Sequence, residues 1–300
     1  MGTLYHLGDG KRPAMHQRWA LRQKPHRVQG LHYDAGFLSR NDRAEILSWL
    51  SNIRPLWENR FSDVRPLPEG ETQRRLLRPV YWLGNWQFAC LDYYHPPHGI
   101  LNRCVQAEPF PPVLAKLVAV IEQRARRMFK GEDMPAKWHL NTCLVNFYGS
   151  QLEGEKWVDT ARVGEHKDFE PGPVGSLSLG ERALIQFVTS RAPGSRDGVV
   201  EQQWLDDGSL QVFGGDQWKN RTFHRVQRVD TKGGHHFDIH VPDFKTRRIN
   251  FTFRYVPDEH VVPFHALSEQ GRADVEGYVK ELAKSSKFFS RALELGNGAA

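Results

Sequence analysis

An α+β fold, a double-sheet jelly roll with flanking helices, is what this sequence predicts, and three features carry the prediction. From His139 to Tyr255 the chain runs as short apolar segments broken by Gly, Pro and Asp turns, the pattern of a two-sheet core. Helical spacing of apolar residues falls before and after that stretch. Near its end, Arg248-Ile249-Asn250-Phe251-Thr252-Phe253-Arg254 alternates polar and large apolar residues, so one face enters a core and the other carries two arginines, an amide and a hydroxyl. Two guanidinium groups on one face of a core strand are costly unless they meet anions. A solvated edge strand accounts for one such arginine. The amide and hydroxyl between the pair point instead to a recess that grips a small dicarboxylate.

In chain order, residues 1–30 read as a flexible basic arm, with Asp9 its sole acid. It lacks the apolar run of a secretory signal, although an organellar transit peptide would share its composition. Met1-Gly2 opens like a myristoylation site, but His6 stands where Ser or Thr is required. Gly36-Phe37-Leu38-Ser39 leads into a helix with Ser39 as N-cap, Asp42 three residues on, and Ile46, Leu47, Leu50 and Ile53 as its apolar stripe. Pro55, Pro66 and Pro68 mark a loop. A second helix opens at Pro111-Pro112 and buries Leu114, Leu117, Val118, Ile121 and Met128. Arg124, Arg126, Arg127 and Lys130 at its far end suit a solvated face at a helix C-terminus better than a phosphate contact. One last helix, around Ala273 to Leu293, carries Val275, Tyr278, Val279, Leu282 and Phe289 towards the sheet. The expected divisions are the arm (1–30), an N-terminal extension (31–135), the jelly-roll core (136–260) and a C-terminal helical extension (261–300).

Nine Trp, seventeen Phe and 39% hydrophobic residues supply a sizeable core. The 41 Lys+Arg against 35 Asp+Glu leave a net charge of +6, which favours a polyanionic partner without identifying one. Cys90, Cys104 and Cys143 form no CxxC pair, so a reducing compartment is expected: cytoplasmic, or nuclear or organellar in a eukaryote. No apolar run approaches a membrane span, and neither a membrane nor an obligate protein partner is expected.

His166-Lys167-Asp168 sets an imidazole and a carboxylate at i and i+2, on one face of an extended segment. With a second histidine they would make the facial triad of non-haem Fe(II) oxygenases, which leaves coordination positions open for a bidentate 2-oxo acid and dioxygen. HxD alone arises often by chance. Followed by a further His and then RxNxTxR, it is specific. Four histidines lie between the two motifs. His224 follows the apolar run Leu210–Phe213, Gly214-Gly215 and an aromatic residue; His235 and His236 follow Gly233-Gly234 like turn residues; His240 precedes Val241-Pro242 at a strand end.

With these motifs in this order, the chain resembles the AlkB family of Fe(II)/2-oxoglutarate-dependent dioxygenases from about Tyr81 to Arg254. Asn146-Phe147-Tyr148 is similar to the family's N-x-Y strand. Ser176–Gly180 leading to Gln186-Phe187 is similar to the strand pair after HxD, and Gly214-Gly215 with Phe223-His224 to the turn and strand that deliver the second histidine. The spacing is looser: Gly149 to Glu165 holds an insertion, His224 to Arg248 is long, and Arg225 stands where many members have a small residue. The resemblance implies a double-stranded β-helix with an N-terminal nucleotide-recognition lid. It implies Fe(II) on His166, Asp168 and His224, and 2-oxoglutarate held through its carboxylates by Arg248 and Arg254 with hydrogen bonds from Asn250, Asn146 and Tyr148. Thr252 would pack or line the pocket. Dioxygen is the other cosubstrate. Oxidation of an N-methyl group at such a centre gives a hydroxymethyl that collapses and releases formaldehyde, with succinate and CO2 as coproducts.

Family members mostly act on N-alkylated bases of DNA or RNA, which must leave the stack to reach a metal. Tyr81-Trp82-Leu83-Gly84-Asn85-Trp86, then Tyr93-Tyr94, lie where the family carries its lid, and Arg74, Arg75 and Arg78 precede them. Basic residues interleaved with aromatics suit phosphates and stacked bases; an ordinary aromatic core beside a basic surface gives the same pattern. Trp86 is the expected stacking residue, with His166 on the opposite face, Tyr93 nearby and Glu170 at the edge of a cationic base. Two alternatives stand beside this: an oxygenase acting on a protein side chain or small molecule, and a nucleic-acid-binding module with a vestigial metal site. Filled ligand positions disfavour the second.

Overall fold

The computed structural model describes residues 28–60, 74–87, 104–190, 198–227 and 234–297. Its major sheet has seven strands. Six run in the order β1 (Leu31–Asp34), β13 (Leu210–Phe213), β10 (Val174–Gly180), β15 (Phe244–Arg254), β7 (Thr142–Glu153) and β4 (Val80–Leu83), and β8 (Lys156–Asp159) pairs with the far half of β7. The minor sheet orders β12 (Val199–Leu205), β11 (Ala183–Val188), β14 (Phe223–Gln227) and β9 (Val163–His166). Both are antiparallel, and residues of both line one cavity between them. A small sheet of β16 (Val261–Val262), β6 (Cys104–Gln106) and β5 (Asn85–Gln87) and a short pair, β2 (Asn59–Arg60) with β3 (Arg74–Arg75), lie outside this pair. This is the jelly roll, with helices added on its outside.

The period-two pattern of β15 is realised as expected. Ile249, Phe251 and Phe253 are fully buried and join the cluster of Ile46 and Leu50 from α1 (Arg40–Leu50) and Leu114, Leu117 and Ile121 from α2 (Pro112–Met128). The intervening Arg248, Asn250, Thr252 and Arg254 line the cavity. The register sets Arg248 opposite Tyr148 and Asn250 opposite Asn146 on β7, and Ser178 and Ser176 opposite Asn250 and Thr252 on β10. The chain then passes to the minor sheet at Gly180, whose φ is +83°; a Cβ there would sit 2.4 Å from the Arg247 carbonyl oxygen, so only glycine fits.

Ser39 caps α1 by accepting the Asp42 N–H at 3.1 Å, and Lys116 of α2 donates to Asp42 at 2.6 Å, tying the two helices together. The basic end of α2 is less solvated than its charge suggests. Arg124 pairs with Asp34 of β1 at 2.6 Å, and Arg126 bonds the Trp138 carbonyl. Met128, expected in the stripe, is exposed, and Phe129 is buried in its place. The expected last helix is two, α3 (Glu269–Ala283) and α4 (Lys287–Asn297). The break falls at Lys284-Ser285-Ser286: Ser285 and Ser286 both turn their N–H groups back to the Leu282 carbonyl, and Ser286 Oγ accepts the Phe289 N–H at 3.5 Å, starting a new helix.

The aromatic stretch expected to form a lid is instead a pair of strands. Val80 to Leu83 is buried at every residue and pairs with β7 as the outer strand of the major sheet, and Trp86 lies in β5. Tyr81 and Trp82 fail to alternate because β4 is covered on both faces: Tyr81 stands edge-on to Trp49 of α1, and Trp82 donates its indole N–H to buried Glu58 at 3.4 Å. Tyr93 and Tyr94 lie outside the described residues. The insertion from Gly149 to Glu165 is the β7–β8 hairpin and its return into β9, anchored by Arg247 to Asp159 at 3.0 Å. Among the described residues no helix is long and apolar enough to cross a membrane.

Candidate metal centre and its cavities

β9 and β14 are neighbours, and their register puts His224 opposite His166, with ring centroids 4.1 Å apart. A register irregularity follows His224; such irregularities re-aim side chains at active sites. Asp168 comes just past the end of β9. One ligand atom from each of His166, Asp168 and His224 lies within 4.8 Å of the others. Asp168 Oδ2 is 3.4 Å from His224 Nε2 and accepts no hydrogen bond, and His224 Nδ1 is likewise buried without one. His166 Nδ1 lies 2.9 Å from the Gly164 carbonyl oxygen. Donating its proton there leaves Nε2 as the lone-pair nitrogen, the arrangement that orients metal-binding histidines.

The electrostatics favour a cation. Burial lowers both imidazoles, His224 further than His166; Asp168 opposes the lowering at each, and His166 adds to it at His224. Burial works against ionised Asp168, but Arg254, His224, Lys219 and His166 outweigh it and hold the carboxyl well below the usual range. Two neutral imidazoles and an ionised carboxylate, with a carboxylate oxygen that lacks a donor, fit Fe(II) in a facial triad. His235, His236 and His240 are exposed and belong to no such cluster among the described residues.

Arg254 is engaged by the triad. Its Nε and NH2 lie 2.9 and 2.8 Å from Asp168 Oδ1, and Nε is 3.6 Å from Glu170. Arg248 is different. It donates NH2 to Ser178 Oγ at 3.0 Å, while its Nε and NH1 are buried with no hydrogen-bond partner. Asn250 spends its amide on Ser176 Oγ at 2.9 Å and the Leu177 carbonyl at 3.1 Å, and accepts from Thr252 Oγ1 at 2.9 Å, so it braces the wall. Asn146 Oδ1 accepts from Arg78 Nε at 2.6 Å. The structure therefore gathers Asn146, Tyr148, Arg248, Asn250 and Arg254 with the triad around one cavity.

Four contributors went unnoticed in the sequence. Ser176 and Ser178 belong to a strand with no chemical motif of its own, yet their i, i+2 spacing beside a polar-faced partner strand is a usable signal. Arg78 stands with Arg74 and Arg75 among the basic residues that lead into the aromatic stretch and suit phosphate contacts, and no motif separates it from them. Lys219 sits in a π-helical turn, Gln217–Arg221, before β14; it is buried, and its Nζ has no hydrogen-bond partner. Burial lowers its proton affinity, against the pull of Asp168 and Glu170. Arg225 raised a steric question that the structure answers: it points away from His224 and pairs with Glu165 at 2.7 Å and Gln186 at 3.0 Å.

Trp86 does not join the site. It is fully buried, its indole N–H donates to Glu58 at 3.2 Å, and Tyr278 of α3 stands edge-on to it with centroids 5.6 Å apart. Its faces are covered by core, leaving no room for a base. Glu170 is close to the metal ligands, and its carboxylate oxygens accept no hydrogen bond. It lines a second cavity of about 670 Å³ that shares Asp168 with the first and includes Glu132, Asp133, Asp216, Lys167 and Lys219.

A jelly roll with HxD and a distal histidine on neighbouring strands, and unsatisfied guanidinium donors in the cavity between the sheets, defines an iron- and 2-oxo-acid-dependent oxygenase. The chain matches the 2OG-Fe(II) oxygenase superfamily over residues 30–254 and belongs to it. It is a dioxygenase of the kind that uses Fe(II), 2-oxoglutarate and O2, with AlkB-like motifs. Similar solved structures include OsALKBH1, at 20% identity and a TM-score of 0.45, covering 77% of this chain and 100% of that one. IDO from Bacillus thuringiensis is similar at 13% identity and a TM-score of 0.35 over 76% of this chain and 94% of that one. YcfD, a ribosomal oxygenase from Escherichia coli in complex with cobalt and succinic acid, is similar at 9% identity and a TM-score of 0.30, over 88% and 66%. No curated protein matches the sequence.

Proposed function

We propose that this dioxygenase removes N-linked methyl groups from nucleobases of DNA or RNA. The observation that carries the reading is Glu170, a buried carboxylate whose oxygens accept no hydrogen bond, at the edge of a cavity that opens on Asp168. A base methylated on a ring nitrogen is cationic and would meet that carboxylate. The AlkB-like order of motifs and the net positive charge support the same substrate class.

In this reading His166, Asp168 and His224 hold Fe(II). Arg248 offers Nε and NH1 to a carboxylate of 2-oxoglutarate beside the Tyr148 ring, while Asn250 and its serine partners keep that wall in place. When bound, the iron supplies the redox chemistry that couples decarboxylation of 2-oxoglutarate to oxidation of a substrate C–H bond. One atom of O2 enters succinate. The other enters the hydroxymethyl group, whose loss as formaldehyde together with a proton leaves the neutral, unmodified base. The chain's own task is to hold the methyl group beside the triad and keep it from water.

Formaldehyde release across methylated single- and double-stranded DNA and RNA oligonucleotides tests the proposal. A second substrate class has one observation in its favour: Glu132, Asp133, Glu170 and Asp216 outnumber Lys167 and Lys219 around the larger cavity, which would also receive a methylated lysine or arginine side chain. Methylated peptides therefore belong in the same panel. Formaldehyde from peptides and from no oligonucleotide overturns the nucleobase reading.

A further inference from the structure

Arg78 precedes Pro79 and β4, and the Phe147 N–H donates to the Pro79 carbonyl at 3.1 Å, so this arginine is fastened to the wall of the cavity between the sheets. Its Nε is fixed on Asn146 Oδ1 at 2.6 Å. Its Cζ lies 5.3 Å from the centroid of the Tyr148 ring, and Arg248 Cζ lies 4.8 Å from the same centroid. Among the described residues, no carboxylate forms an ion pair with either guanidinium. The third arginine of the cavity, Arg254, is engaged by Asp168. Two like charges thus share one aromatic ring in a recess, each with donors left over. Such a pair is unfavourable by itself and becomes favourable around an anion.

We propose that Arg78 and Arg248 form a two-guanidinium clamp on the distal carboxylate of 2-oxoglutarate, and that Arg78 makes the pocket selective for a dicarboxylate. The inference rests on placing that cosubstrate in this cavity, as above. With Nε held by Asn146, Arg78 keeps terminal amines that bond no other described residue and can form the fork that a planar carboxylate accepts. Asn146 then acts as a positioning residue for Arg78. A lysine at position 78 would keep the charge but lose the simultaneous hold on Asn146 and the ligand.

The test uses the full-length protein loaded with Mn(II), without any oligonucleotide, and calorimetric titration with 2-oxoglutarate and with the monocarboxylate pyruvate. Arg78→Ala should weaken 2-oxoglutarate binding about 10- to 100-fold, the loss expected for a charged hydrogen bond, and leave pyruvate within about threefold. Arg78→Lys should fall between parent and Arg78→Ala, and it serves as the readout if the alanine variant melts early. Mn(II) affinity should be unchanged. Binding of 2-oxoglutarate at the parent affinity in both variants, or equal losses for both acids, overturns the clamp. If Arg248→Ala also leaves 2-oxoglutarate binding intact, the placement of the cosubstrate has failed with it. A normal titration together with lost oligonucleotide binding would move Arg78 to a phosphate contact and reject the proposal, while leaving the nucleobase reading standing.

Discussion

Arg254 sets two nitrogens, Nε and NH2, on the same oxygen of Asp168 at 2.9 and 2.8 Å. The arginine expected to meet the cosubstrate is thereby the partner that orients a metal ligand. Outer partners of metal ligands typically contribute 10- to 100-fold in metal affinity. Arg254→Ala should weaken Fe(II) or Mn(II) binding by about that much, with a smaller effect on 2-oxoglutarate affinity at saturating metal than Arg248→Ala has. Metal and cosubstrate titrations of both variants decide it. Unchanged metal affinity with a large cosubstrate defect would return Arg254 to a carboxylate-binding role.

The distal ligand gives a second prediction. His224→Ala should abolish succinate formation from 2-oxoglutarate, while His235→Ala and His240→Ala, altering exposed residues, keep most of it. Activity surviving in His224→Ala and vanishing in one of the others would reassign the triad.

The same histidines set a pH dependence. Burial places His224 well below its ordinary 6.5, and His166 below it to a lesser degree. The unfolded chain therefore takes up protons as pH falls through about 6.5, where the folded metal-free protein does not. Stability from these groups is fully present above the unfolded value and declines as pH drops below it. Thermal melts of metal-free protein should be level from pH 8 to 7 and fall from 6.5 towards 5, with His224→Phe flattening part of the decline. A melting temperature that rises on acidification contradicts this.

What the sequence made legible was whatever repeats or alternates along the chain. The alternation in β15 gave both its core face and its cavity face, because a strand's period is set by backbone geometry and does not depend on neighbours. HxD and RxNxTxR could be joined for the same reason, each being a local pattern. Trp86 and Arg78 were misplaced because their settings are made by distant segments. Trp86 is covered by Tyr278, nearly two hundred positions on, and Arg78 is fixed by Asn146 on another strand. Composition placed both on a basic, aromatic surface, and tertiary pairing put one in the core and the other in the cavity.

Two buried thiols supply a further check. Burial, with help from Glu170, pushes Cys104 up to about 12, and burial raises Cys143 despite the opposing charge of Arg254. At pH 8 the thiolate fraction of Cys104 should be roughly a thousandfold below that of an ordinary cysteine, and that of Cys143 is suppressed in the same direction. Alkylation with iodoacetamide at pH 8, mapped by peptide mass, should leave both unmodified in the native protein and label both in urea. Rapid native labelling of Cys104 would mean that the layer between β6 and Glu170 is open.

Trp86 yields the prediction that most directly separates core from recognition. Its ring is fully buried, Tyr278 packs edge-on against it, and Glu58 receives its N–H at 3.2 Å and that of Trp82 at 3.4 Å. Trp86→Ala would remove a large buried ring and one donor to a buried carboxylate, costing about 3–5 kcal/mol. For a chain of this size that corresponds to a fall in Tm on the order of 10 °C. Trp86→Phe keeps the aromatic contact with Tyr278 and loses the donor, so it should cost about 1–3 kcal/mol. Below its own melting transition, each variant should turn over 2-oxoglutarate at nearly the parent rate per folded molecule, because the triad and Arg248 are untouched. The contrary result is equally sharp. If Trp86→Ala melts within a degree or two of the parent yet loses demethylation of oligonucleotides, the indole is contacting a base and its place in the core is wrong.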